Sequence, residues 1–124
     1  MDQVFSLQSE ARDGCVIITT MGYINNVGGE AIAAECRTYF AGGVKNVILN
    51  LGQSKVVNSI GMSYIIEVLE QVQELGGRLV FTNLDGPVEK MLAIMGLFTF
   101  AGKEATVADA LAVCAREAVD QGRK

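Results

Sequence analysis

Apolar and polar positions change their spacing several times along the chain, and each change marks an element. Phe5 and Leu7 alternate with Ser6 and Gln8, the period of two that turns one side of a strand toward a core. A second apolar run, Cys15 to Met21, follows across Asp13-Gly14. Both residues of that pair tolerate positive φ, so it predicts a tight antiparallel hairpin. Gly22 breaks the run, and from about Gly29 to Phe40 the residues Ile32, Cys36, Tyr39 and Phe40 recur at helical spacing, ending at Ala41-Gly42-Gly43. Val47, Ile48, Leu49 and Leu51 then form a nearly continuous apolar stretch, as expected of a central strand covered on both faces.

Beyond a polar junction, Met62, Ile65, Ile66, Leu69 and Val72 make one stripe of a helix that stops at Gly76-Gly77. Arg78 to Thr82 predicts another strand. Asp85-Gly86-Pro87 opens a third helix carrying Val88, Met91, Leu92 and Met95, with the proline in the first turn, where a missing N–H costs nothing. A short strand is expected near Thr99-Phe100, and Thr106, with Asp109 three residues on, starts a last helix. A hairpin followed by helix-strand alternation predicts an α/β fold: a small mixed β-sheet, parallel in its later part, with an N-terminal antiparallel hairpin and about four helices. No linker, repeat or low-complexity tract divides the chain, so one domain is expected over 1–124.

Composition narrows the chemistry. Half of the 124 residues are hydrophobic, enough for one domain to bury roughly two-thirds of its unfolded surface. The formal net charge of −4 argues against direct nucleic-acid binding, which needs clustered Lys and Arg to displace phosphate counterions. Cys15, Cys36 and Cys114 are odd in number, far apart and set in apolar surroundings, as expected of reduced core thiols in a cytoplasmic protein. The start of the chain lacks a signal-peptide pattern, and no apolar run approaches membrane-spanning length, so membrane insertion is not expected. The glycine pairs at 28-29, 42-43 and 76-77 lack the spacing of a phosphate-binding loop and fit helix ends. Histidine is absent, which removes the commonest general base and metal ligand. Glu67, Glu70 and Glu74 fit a solvated helix face, and Asp109 a cap. The expectation is a binding module rather than an enzyme, without cofactor or metal.

The polar junction Asn58-Ser59-Ile60-Gly61 carries the remaining chemistry. Ser59 stands where an N-cap is expected before the stripe, and Asn58 could serve instead. A helix N-terminus also accommodates a phosphate, because its amides and dipole favour negative charge. Phosphorylation there would leave the fold intact yet place a charge of about −1.5 to −2 against any docked partner.

The segment Asn58-Ser59-Ile60-Gly61-Met62 resembles the D-S-[ST]-G-[LIM] signature of the STAS domain of bacterial anti-sigma factor antagonists. The resemblance extends to Met21-Gly22-Tyr23-Ile24-Asn25, to the strand from Asn46 to Leu51, to the helix ending Glu74-Leu-Gly-Gly77, and to Met95-Gly96-Leu97-Phe98. It implies a small mixed sheet with helices on one side. It also implies partner switching: the unmodified serine allows binding to an anti-sigma factor that is a serine kinase, phosphorylation by that kinase ends binding, and a phosphatase restores it. On this resemblance Ser59 is the phosphorylation site, and Asn25, Asn58, Ser59, Gly61, Met62 and Ser63 form the partner surface. Asn58 and Asn25 depart from the family, which commonly has acidic residues there, and Ile60 replaces a second hydroxyl. Ser63 and Ser54 lie nearby. A constitutive STAS scaffold, in a signalling or transporter complex, is the alternative, and a homodimer is compatible with either.

Overall fold

A computed structural model describes residues 4–122, from residue 116 onward as backbone alone; both ends of the expected 1–124 domain lie outside the described residues. Strands β1 (Ser6–Arg12) and β2 (Cys15–Met21) form the hairpin, followed by helix α1 (Asn26–Ala41), β3 (Asn46–Gln53), α2 (Ser59–Glu74), β4 (Leu79–Thr82), α3 (Gly86–Ile94), a 3-10 turn (Leu97–Thr99), β5 (Gly102–Glu104) and α4 (Val107–Gly122). The sheet order is β1-β2-β3-β4-β5, with the first pair antiparallel and the rest parallel. Asp13 and Gly14 have φ of 54° and 82°, and Arg12 pairs with Cys15 across them. That is the two-residue turn the sequence predicts, its left-handed backbone matching the strands' twist.

Strand order fixes where the first three helices go. Each parallel step moves to the next strand in the same direction, and right-handed crossovers then place α1, α2 and α3 on one face. Val16, Ile18, Val47, Leu49, Leu79 and Phe81 point to that face and bury against Ile32, Cys36, Ile65, Leu69, Val72 and Leu92 of the helices. Each large aliphatic side chain taken from water contributes about 1.5–3 kcal/mol against the entropy of ordering it. The alternate strand positions Cys15, Ile17, Ile48 and Val80 bury against Ala110 and Cys114 of α4. Thus β3 is covered on both faces, as its unbroken apolar run predicts, but α4 departs from the resemblance's helices on one side. Helix α4 folds over the apolar stripe that the other three helices leave bare. Thr106 caps it, its Oγ1 accepting from the Asp109 N–H at 3.1 Å.

Two local expectations change. The strand expected at Thr99-Phe100 is instead the end of a 3-10 turn, and β5 begins at Gly102. Leu97 is 2 % exposed, and Phe98 meets the Phe81 ring edge-on at 6.0 Å. These anchors bend the chain after Gly96, which has φ of 79°, before it can pair with β4. Helix α1 also starts at Asn26, three residues before the spacing suggests, because its first turn is set by a cap and not by an apolar stripe. Among the described residues, no helix is long and apolar enough to cross a membrane.

Candidate functional site

The sharp turns after β2 and β3 lie side by side at the carboxyl ends of the parallel strands. Ile24 pairs with Val57 in an isolated parallel bridge. Its N–H donates to the Val56 carbonyl at 2.9 Å, and its own carbonyl accepts from the Asn58 N–H at 3.0 Å. Two helices start from this bridge, each with an asparagine cap. Asn25 Oδ1 accepts from the Val27 and Gly28 N–H groups at 3.0 and 3.2 Å. Asn58 Oδ1 accepts from the Gly61 N–H at 2.7 Å.

The two starts are locked by missing side chains. A Cβ on Gly61 would overlap the Ile24 carbonyl oxygen and lie 2.8 Å from its carbon; one on Gly29 would lie 2.8 Å from the Tyr64 ring and 3.0 Å from the Gly61 Cα. Glycine at 61 therefore serves close approach of backbone to backbone.

This arrangement answers the question left at the junction. Asn58 is the cap, and Ser59 is the first residue of α2. Ser59 is exposed, and among the described residues its hydroxyl has no structural hydrogen bond to give up. Ser63 is exposed too, but its hydroxyl donates to the Ile60 carbonyl at 2.6 Å. Ser54 is fully buried and shares a 2.7 Å hydrogen bond with Thr20, so it presents nothing to a modifying enzyme.

The six expected surface residues do not all reach the surface. Asn25 and Asn58 are half-buried and Ser59 and Ser63 exposed, but Gly61 is buried and Met62 is only 2 % exposed. Met62 belongs to the core stripe, where its buried side chain supports the α2 start. In its place the structure offers apolar side chains that motif matching passed over: Tyr23, Val27, Val56 and Ile60, respectively 41, 63, 55 and 53 % exposed. They come from the two turns joined by the Ile24–Val57 bridge, and Ile60 directly follows Ser59. Their signal in the sequence was that Val56 and Ile60 are apolar yet fall outside the Met62-Ile65-Leu69-Val72 stripe. Beside them an open groove of about 370 Å³ is lined by Gly22, Tyr23, Gly52, Gln53, Lys55 and Val56.

Charge at this edge is sparse. Neither α1 nor α2 has an acidic residue in its first turn, and Lys55 is partly offset by Asp85 at 3.7 Å. The asparagines keep the hydrogen bonds that aspartates would make while leaving both helix dipoles uncompensated. Asn58→Ala is expected to cost about 1 kcal/mol in urea unfolding, whereas Asn58→Asp holds or gains stability. Equal losses for the two variants would contradict the cap assignment.

Sheet order and the N-terminal hairpin define an α/β domain built on one five-stranded mixed sheet. The chain belongs to the STAS domain family, whose profile it matches over residues 6–110. Solved structures with this fold include a Thermotoga maritima protein described as an anti-sigma factor antagonist, with TM-score 0.78 and 17 % identity over 87 % of this chain and 93 % of that one. The Bacillus cell fate determinant SpoIIAA, solved in its phosphorylated form, has TM-score 0.68 and 23 % identity over 95 % of this chain and 100 % of its own. A third is the murine anion transporter Slc26a9, with TM-score 0.70 and 14 % identity over 85 % of this chain but 18 % of the transporter. At these identities the likeness is one of fold.

Proposed function

We propose that this protein is a partner-switching regulator of the anti-sigma factor antagonist type, acting by binding rather than catalysis. The surface around Ser59 docks an anti-sigma factor with serine kinase activity, and phosphorylation of Ser59 ends the complex until a phosphatase reverses it. The observation that carries this reading is the division of labour at the α2 start: Asn58 takes the capping role, leaving the exposed Ser59 hydroxyl available without loss to the fold. The two turns carry exposed apolar side chains, which gain from being covered by a partner. A likeness of fold to a protein solved in a phosphorylated form is consistent with it. Asn25, Asn58, Ser59 and Ser63 face that partner in this reading, with Tyr23, Val27, Val56 and Ile60 supplying the apolar contact.

The Asn caps bear on the mechanism. A phosphate on Ser59 meets no carboxylate at either first turn and sits against two positive helix ends, so the modified domain keeps its fold. The same loss of carboxylates gives a specific ground for the alternative, a constitutive STAS scaffold. Phosphopeptide mapping of the protein isolated from its native cells, with phosphatase inhibitors present, separates the two. Phosphate on Ser59 in a substantial fraction is the expected result. A fully covered and unmodified Ser59 peptide across growth and stress conditions would favour the scaffold.

A further inference from the structure

On the sheet face carrying α4, the buried contact among the described residues joins Cys15, Ile17, Ile48 and Val80 from the strands to Ala110 and Cys114 from the helix, with Val107 and Leu111 packed at its edge. Two of these six buried side chains are thiols, one at the first residue of β2 and the other on α4. They lie in one buried cluster across the interface, close enough for Cys114 to be the main influence on the Cys15 thiol, and neither is in a disulfide.

We propose that Cys15 and Cys114 form a redox-dependent latch, in which a disulfide between them fastens α4 to the sheet. Hydrogen peroxide serves as the oxidant. One sulfur attacks the O–O bond and becomes a sulfenic acid; the departing hydroxide takes the displaced thiol proton and leaves as water. The second sulfur attacks the sulfenic sulfur, and the expelled hydroxide takes the second thiol proton as another water. The sulfurs together lose two electrons to the peroxide oxygens. Forming the bond draws the two sulfurs together to disulfide length, about 2 Å, within the cluster they already share.

Burial gates the reaction. Cys15 is 0 % and Cys114 4 % exposed, and the Cys15 thiol is held well above its ordinary pKa, first by the hydrogen bond to Cys114 and then by burial. The closed protein therefore keeps these thiols protonated and slow to react. Local lifting of α4 admits the oxidant, and the disulfide then suppresses that lifting. Cys36 supplies an internal control. It lies in the other core, fully buried, its pKa pushed up to about 12 mainly by burial.

The test treats the purified full chain with hydrogen peroxide, alkylates remaining thiols, and maps unreduced peptides by mass spectrometry. A Cys15–Cys114 cross-link is expected in most molecules, with Cys36 alkylated. The thermal midpoint should rise by about 5 °C or more, amide exchange in α4 should slow by about tenfold or more, and dithiothreitol should reverse both. Cys36→Ser retains these changes and Cys114→Ser abolishes them; if the latter fails to fold, the Cys36→Ser result decides alone. Alkylated or over-oxidised Cys15 and Cys114 without a cross-link, or a cross-link that changes neither midpoint nor exchange, overturns the latch.

Discussion

Ser59→Glu is expected to weaken binding of the proposed anti-sigma partner by about a hundredfold while leaving the thermal midpoint within a degree or two of the unmodified protein. The two effects separate because they arise on different sides of the hydroxyl. Toward the fold, Ser59 is the first helical residue and Asn58 holds the cap. A carboxylate there replaces no structural hydrogen bond and gains from the helix dipole. Toward a partner, the charge falls on the edge that, in the proposed reading, supplies the exposed apolar side chains Tyr23, Val27, Val56 and Ile60. Covering that patch then requires desolvating the carboxylate or meeting it with a cation, a penalty of about 3 kcal/mol. Ser59→Ala, which carries no charge, should bind as the unmodified chain does. Titration calorimetry against the anti-sigma factor, paired with scanning calorimetry of each variant, measures both quantities. Equal affinity for the Ser59→Glu and unmodified chains would sink the switch and favour the scaffold; lost binding accompanied by a large fall in midpoint would show that Ser59 acts through the fold.

Gly61→Ala should do the reverse and damage the fold itself. Its new Cβ would overlap the Ile24 carbonyl oxygen and stand 2.8 Å from the carbonyl carbon. That carbonyl already accepts from the Asn58 N–H, and Ile24 is fully buried and paired with Val57. Rotating a side chain gives no relief, so the α2 start or the turn before α1 must move. Alanine's better helix propensity returns about 1 kcal/mol, but backbone overpacking dominates, and a net loss of about 3 kcal/mol is expected. This corresponds to a fall of about 10 °C in thermal midpoint. Because Gly29 packs on the Gly61 Cα, the shift also separates the two capped turns and should impair partner binding. A variant as stable as the unmodified protein in urea titration would mean that the two turns are not locked as described.

The chain's local signals fixed most of the elements. Asp13-Gly14 could only be a tight turn, since few other pairs tolerate two positive φ values in succession, and the hairpin formed there. The stripe from Met62 to Val72 placed α2 correctly, because a 3.6-residue period has one apolar face to bury. It also marked Met62 as core, and that periodicity described its side chain better than motif matching did. The unbroken apolar run of β3 foretold cover on both faces. Ser59 was legible as a junction hydroxyl from its neighbours alone.

Contacts between distant segments decided the rest. Choosing Asn58 over Ser59 as the cap depended on the Ile24–Val57 bridge, which sets the backbone entering α2. Phe98 against Phe81 turned an apparent strand into a bend and moved β5 to Gly102. The starts of α1 and α2 became neighbours through the close approach of Gly29 to Gly61 and Tyr64, although more than 30 positions separate them in the chain. The side of the sheet taken by α4 followed from the second apolar face of the strands, Cys15, Ile17, Ile48 and Val80, which it covers. Sequence by itself determined the elements and the candidate hydroxyl, since spacing and turn chemistry are local. Only the tertiary structure decided which residues cap, which are exposed and which thiols meet, because those depend on what the folded chain brings into contact.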